Sequence, residues 1–279
     1  MGDYLLFNGD FHQDNEPLIT ANNRGLRYGD GLFETLRMSA GTIHFIDWHM
    51  QRMFTGLHLL HFELPEYFTP EYITRQADAI CRKNKHLAAR IRITIIRGNG
   101  TPYTPEDHFP HCIIQSWPLA ANGLPLNDKG LVTGLYPDAK KAIDTFSTLK
   151  SNNYLPYLMA ALHAKTNHWD DALLLNTAGR LCDASIANIF IVKNKIINTC
   201  PLQEGCVAGI MRRFLLENLP LHGFDTREQQ LSTEDLVQAD EVFLSNAIRG
   251  IQWVYSCEHA TFGNQLVNAI HSKLFKEMV

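Results

Sequence analysis

Apolar and polar positions alternate over short stretches at the start of the chain, and YLLFNGDF reads as a strand, an Asn8-Gly9 turn and a second strand. LIT at 18–20 and TIHF at 42–45 read as further strands. Between them, NNRGLRYGDGLFETLR carries Gly25, Gly29 and Gly31, a bend that leads into another extended segment. Asp47 predicts the N-cap of a helix over 48–61. Thr69 before Pro70 predicts a second helix running to residue 84, with Tyr72, Ile73, Ala77 and Ile80 on one face. RIRITIIR (90–97) alternates strictly and predicts a strand with Ile91, Ile93 and Ile95 inward, and HCIIQSW adds one more.

The pattern breaks at PLAANGLPLNDKG, 118–130, where Pro, Gly, Asn and Ala concentrate. This predicts an N-terminal α/β domain over 1–117, a linker over 118–128 and a C-terminal domain over 129–279. Beyond the break come a strand (131–136), a helix (153–167), a strand (172–175), a hairpin (188–199), a helix (210–218), a strand (241–245) and a C-terminal helix. Runs of strands interspersed with helices, without internal repeats, give an α+β protein of two domains.

Composition narrows the function. The chain has 279 residues, a formal net charge of -4 and 45% hydrophobic residues, so it lacks the basic footprint of a nucleic-acid binder. Nowhere does an uncharged apolar run reach the roughly 18 residues a membrane helix needs, and MGDYLLFNGDFHQ does not read as a signal peptide. A cytoplasmic, soluble protein is expected. The six cysteines are scattered without a Cys-x-x-Cys, and the pairs His58/His61 and His108/His111 have no third ligand nearby, so no metal site is expected.

Five segments hold residues able to do chemistry. In TFSTLKSNNYLPYLMAALHAK, Lys150 precedes Ser151, Asn152 and Asn153, all N-capping types, before a helix with Pro156 in its first turn. The positive end of a helix disfavours an ammonium there, which favours the neutral amine that attacks an aldehyde. Most lysines before helices are simply solvated surface. In EGCVAGIMRRFLLENL, Gly209 starts an amphipathic helix whose bare N–H groups suit a phosphate, although glycine at a helix start is commonplace. FLSNAIRGIQWV ends a strand in Ser245-Asn246-Ala247, which is either a phosphate partner or an ordinary turn. GRLCDASIANIFIV sets Asp183 among small residues between apolar strands, where a carboxylate either needs a partner or caps its own turn. Arg52, in DWHMQRM, is either one more exposed cation on a helix or a bidentate phosphate donor.

Taken in order, RGLRYGDGLFET, HMQRM, LKSNNYLP, CDASIANIF, EGCVAGIMR and SNAIRGI resemble the successive signature blocks of the class-IV aminotransferases, over nearly the whole chain. That family includes branched-chain and D-amino-acid aminotransferases and aminodeoxychorismate lyase. The resemblance implies the two-domain fold-type-IV architecture, pyridoxal 5'-phosphate in the cleft between the domains, and a homodimer. By position, Lys150 would carry the cofactor as a Schiff base and act as the catalytic base. Arg52, the Gly209-led helix with Ile210 and Met211, and Asn246 with Ala247 would hold the phosphate. Asp183 stands at the family's pyridine-binding glutamate, one methylene shorter, and so would reach the ring through a shifted ring or a bridging water. Tyr28 matches an aromatic position near the substrate, and Arg97, Arg92 or Arg27 could grip a substrate carboxylate.

The implied activity is either amino-group transfer to a 2-keto acid or an elimination of the aminodeoxychorismate lyase type that gives pyruvate. Two other readings are a cofactor-binding protein with little turnover, suggested by the shorter Asp183, and a cofactor-free binding module on the same fold. Lys150, Arg52 and Gly209 together argue against the last.

Overall fold

The computed structural model describes residues 4–120 and 123–276. The chain divides into two units, one of residues up to Asn122 with Leu149–Asn153, the other of Gly123–Thr148 and everything from Tyr154 onward. Of the linker expected at 118–128, residues 121 and 122 lie outside the described residues. The short stretch that carries Lys150 belongs with the first unit, which a contiguous division of the chain does not anticipate.

In the first unit, β1 (Tyr4–Phe7) and β2 (Asp10–Gln13) form the expected hairpin, with Asn8 and Gly9 at φ of 51° and 95°, the positive values that a tight hairpin turn requires. Helix α1 (Arg24–Tyr28) takes the place of the bend: the Asn23 side chain accepts from the Leu26 N–H, and Gly29 ends the helix in the left-handed region. Next come β3 (Gly31–Ser39), β4 (Thr42–Ile43), α2 (Ile46–Leu59), α3 (Pro70–Asn84), β5 (Ala89–Arg97) and β6 (Pro110–Pro118). The sheet is antiparallel, in the order β2-β1-β6-β5-β3-β4. Ile91, Ile93 and Ile95 of β5 face the core as the alternation predicts, and pack with Met50, Met53 and Leu57 of α2 and Ile73, Ala77 and Ile80 of α3.

Three local expectations change. Helix α3 starts as predicted, with the Thr69 hydroxyl accepting from the Tyr72 N–H. Helix α2 instead follows a left-handed Phe45 with no side-chain cap, and Asp47 sits in its first turn, where a carboxylate favours the positive helix end. That turn at Phe45 also cuts the strand at TIHF to two residues. LIT at 18–20 forms no strand, since three residues carry too little pattern to specify a pairing.

The second unit contains β7 (Leu131–Leu135), α4 (Leu155–Thr166), β8 (Asp171–Leu175), β9 (Leu181–Ala184), β10 (Asn188–Lys193), β11 (Ile196–Thr199), α5 (Ile210–Asn218), β12 (Thr226–Glu228), α6 (Thr233–Val237), β13 (Glu241–Asn246), β14 (Gly250–Cys257), β15 (Ala260–Thr261) and α7 (Gln265–Leu274). Its sheet runs β12-β11-β10-β13-β14-β7-β8-β9, with β15 beside β14. Pairing of β9 with β10 closes β10, β13, β14, β7, β8 and β9 into a ring, and the residues that close it are Asp183 and Asn188. Closure of this kind leaves those strands without an open edge. Leu173, Leu181, Ile189, Ile191, Leu244 and Val254 belong to the apolar cluster of this sheet.

Candidate active site

Lys150 is positioned by its backbone. The stretch from 149 to 153 runs beside the first half of β3: the Phe33 N–H donates to the Lys150 carbonyl at 2.8 Å, the Asn152 N–H donates to the Gly31 carbonyl at 3.0 Å, and Leu32 bridges Ser151. Asn152 and Asn153 do not cap a helix. Their side-chain amides donate to the carbonyls of Ile95 at 3.3 Å and Gly29 at 3.2 Å, and α4 begins later, after an uncapped Tyr154. Gly31 is required where these strands meet, because a Cβ there would overlap the Ile95 carbonyl oxygen. The Lys150 ammonium nitrogen lies 4.3 Å from the centre of the Phe33 ring, and the Arg92 guanidinium lies 3.9 Å from the same ring.

The next residue along β3 is Glu34, buried in a strand that is otherwise mostly apolar. Its carboxylate accepts from Arg52 Nε at 2.8 Å, Arg52 Nη2 at 2.5 Å and His49 Nδ1 at 2.7 Å, the last two sharing one oxygen. Burial pushes the Glu34 carboxyl up, but the Arg52 charge and the His49 hydrogen bond outweigh it and hold it down to about 2. The His49 imidazole is also shifted down, but here burial is the cause: it outweighs the opposing pull of Glu34, with the positive charges of Arg52 and Lys150 adding to the decrease. A neutral His49 that donates from Nδ1 presents Nε2 as a bare acceptor, and this buried atom has no hydrogen-bond partner among the described residues. The bidentate pair fixes the plane of the Arg52 guanidinium.

Tyr28 closes α1 with the guanidinium groups of Arg24 and Arg27 at 5.6 and 5.2 Å from its ring centre. Arg97, expected as a partner for a substrate carboxylate, lies in a dense set of protein contacts. It is buried, donates to Asp30 at 3.1 Å and to the carbonyls of His61 at 3.2 Å and Leu60 at 2.5 Å, and meets His108 Nδ1 at 3.1 Å. Four of its five N–H groups are thus turned to protein, and its charge faces Asp30.

In the second unit, Asp183 is buried on β9 and its carboxylate is surrounded by donors. Oδ2 accepts from the Tyr157 hydroxyl at 2.6 Å, the Val207 N–H at 3.0 Å and Lys141 Nζ at 3.3 Å, and Oδ1 accepts from the Asn188 amide at 2.8 Å. Burial and the Asp183 charge raise the Tyr157 phenol well above its ordinary value, so it remains a donor. Helix α5 starts at Gly209 in extended conformation with no side-chain cap, followed by the buried Ile210 and Met211. A Cβ at Gly209 would overlap the Asn188 side-chain oxygen, so any larger residue there displaces that side chain. Asn188 also pairs across the sheet with Ser245, whose buried hydroxyl has no hydrogen-bond partner among the described residues. Asn246 spends its side-chain oxygen on the N–H groups of Ile248 and Arg249, closing the turn that contains Ala247.

The family model described as amino-transferase class IV matches residues 31–257, the span that contains Glu34, Arg52, Lys150, Asp183 and Gly209. The chain belongs to the class IV aminotransferases. Among curated relatives of this class IV aminotransferase are an aminodeoxychorismate lyase of Bacillus subtilis, 25% identical over 287 residues (99% of this chain, 96% of the relative), and a branched-chain-amino-acid aminotransferase of Escherichia coli, 27% identical over 271 residues (94% and 87%). A branched-chain aminotransferase structure from Thermoproteus uzoniensis matches with a TM-score of 0.88 at 21% identity, covering 98% of this chain and 93% of that chain, which establishes the shared fold.

Sequence reasoning on this class IV aminotransferase misses Glu34, His49, Tyr157, Lys141 and Asn188. Glu34 leaves a usable signal, a carboxylate inside the apolar run GLFETLRM that has to find a cation. Spacing places His49 and Arg52 three residues apart on one helix face. Tyr157 and Lys141 leave none, because an aromatic on a helix reads as core and a lysine in a loop reads as surface.

Proposed function

We propose that this chain is a pyridoxal-phosphate enzyme in which Lys150 carries the cofactor, and that it acts on an amino-acid-like substrate. The outcome is either amino-group transfer to a 2-keto acid or elimination that releases pyruvate. The observation that carries the reading is that adjacent residues of β3 fix the two groups it needs. Phe33 holds the backbone of Lys150, and Glu34 orients the guanidinium of Arg52. Each unit by itself carries groups that fit such a cofactor: the first an oriented arginine and the buried His49 Nε2, the second an uncapped helix start at Gly209 and the buried Ser245 Oγ, both atoms without hydrogen-bond partners among the described residues.

When bound, the cofactor supplies an aldehyde for the lysine and a ring that draws electron density from the substrate α-carbon. Arg52, the N–H groups of Ile210 and Met211, and the backbone at Asn246 and Ala247 would hold its phosphate. Asp183 would face the pyridine nitrogen and keep it charged. Lys150 Nζ would take the α-proton of the substrate and return it elsewhere. Tyr28, with the exposed Arg27 beside it, would contact the substrate. Return of the proton with retention of the amino group on the enzyme gives transfer; departure of a leaving group from the substrate instead gives pyruvate.

We further propose a cytoplasmic homodimer. Six free, buried cysteines suit a reducing compartment. Leu155, Leu158, Met159 and Leu162 form an exposed apolar stripe on α4 that suits a second copy. No described helix is long and apolar enough to cross a membrane.

The test incubates purified protein with a panel of amino acids plus a 2-oxo acid, and separately with aminodeoxychorismate, while keto acids and pyruvate are quantified. New keto acid with matching amino acid identifies transfer, and pyruvate from aminodeoxychorismate alone identifies the lyase. Absence of every product, with cofactor bound, contradicts the proposal.

A further inference from the structure

Asp183 has more donors than a lone buried carboxylate needs. A carboxylate offers about four acceptor directions, roughly two on each oxygen. Tyr157, Val207 and Lys141 crowd onto Oδ2, while among the described residues Oδ1 takes Asn188 alone. Counted by oxygen, one direction of Oδ1 remains open. The side chain is also one methylene shorter than the glutamate of the family pattern, so its reach depends on how it is turned.

Each neighbour except one is tied down for other reasons. Asn188 also donates to the Val207 carbonyl at 2.8 Å, and Lys141 donates to the Ser147 carbonyl at 2.6 Å, its shorter contact. The Tyr157 hydroxyl has Asp183 as its hydrogen-bond partner, at 2.6 Å, the shortest of the four contacts to the carboxylate. Tyr157 comes from the first turn of α4, and Lys141 Nζ lies 5.0 Å from its ring centre, so ring and cation brace each other against the same oxygen. Among the described residues, the buried thiols of Cys182, Cys200 and Cys206 also lie close enough to Asp183 or Tyr157 to act on them electrostatically.

We propose that Tyr157 is the positioning residue for Asp183: its hydroxyl anchors Oδ2 so that Oδ1 is the oxygen presented to the cofactor's ring nitrogen, in compensation for the shorter side chain. This rests on the reading that Asp183 serves the pyridine ring. Loss of the hydroxyl lets the carboxylate rotate, weakens its contact with the ring nitrogen and makes the ring easier to deprotonate. A longer acid at 183 reaches the ring without that anchor.

The test loads the holoenzyme with pyridoxal phosphate labelled with nitrogen-15 in the ring and follows the ring-nitrogen resonance against pH. It compares the parent with Tyr157→Phe, Asp183→Glu, Tyr157→Phe/Asp183→Glu and Asp183→Asn. Tyr157→Phe is expected to lower the pH at which the ring loses its proton by about one unit, the size of one charge-assisted hydrogen bond. The double variant is expected to titrate like Asp183→Glu alone. Thermal melting of the apo proteins monitors folding, and every titration is recorded below the lowest melting temperature of the set. An unchanged or raised titration in Tyr157→Phe, or a double variant as low as Tyr157→Phe, overturns the proposal. An Asp183→Asn ring that titrates like the parent overturns the underlying assignment of Asp183 instead.

Discussion

Arg52 and Glu34 form a two-pronged pair, Nε to Oε1 at 2.8 Å and Nη2 to Oε2 at 2.5 Å, in which the buried acid sets the plane of the arginine. If that plane is what receives a phosphate, Arg52→Ala raises the dissociation constant for pyridoxal phosphate by about 10- to 100-fold, the range for one charged hydrogen-bonding group. Glu34→Gln moves it in the same direction by less. Fluorescence titration of the apo proteins with cofactor measures both, and affinities equal to the parent contradict the assignment.

The same cluster predicts an acid limit to stability. Glu34 is held down to about 2, below its ordinary carboxylate range, so its contribution is present above that range and is lost as pH falls toward 2. The shift corresponds to on the order of 3 kcal/mol. His49, also depressed, adds a loss with the same sign that begins as pH falls below its ordinary range. Denaturant unfolding from pH 7 to 3 therefore shows falling stability, with a shallower slope in Glu34→Gln despite a lower plateau. Parallel slopes in the two proteins count against the pairing.

Crowding between Gly209 and the Asn188 side-chain oxygen makes a coupled prediction. Gly209→Ala destabilises the apo protein by about 1–3 kcal/mol, the usual range for overpacking. In an Asn188→Ala background the added methyl group has room, and the penalty shrinks. Equal penalties in both backgrounds, read by urea unfolding, refute the steric account.

How much of this is legible in sequence depends on how local each cause is. The Asn8-Gly9 turn, the Thr69 cap and the alternation at 90–97 are decided by neighbouring residues, and the structure follows them. Ser151, Asn152 and Asn153 carry the local chemistry of a helix cap, but a ladder with β3, more than a hundred residues away in sequence, takes them instead. The need of Asp183 for partners follows from its apolar surroundings. Its donors do not, because they come from 42, 26, 24 and 5 residues away. Arg97 reads as available in the sequence because nothing local reveals Asp30 and the carbonyls of Leu60 and His61.

The exposed stripe on α4 predicts the assembly. Leu158→Glu/Leu162→Glu places two charges on that face while leaving the buried Ala160 and Ala164 intact. Sedimentation velocity is expected to show a dimer for the parent and a shift toward monomer for the variant, with unchanged far-ultraviolet dichroism. A variant that sediments like a dimeric parent places the contact elsewhere.

Reduction of the cofactor-loaded protein with borohydride, followed by peptide mapping by mass spectrometry, tests the central assignment most directly. A phosphopyridoxyl group on Lys150, lost in Lys150→Ala, is the predicted result. The same group on another lysine such as Lys141, or no covalent adduct at all in a protein that binds the cofactor, contradicts it.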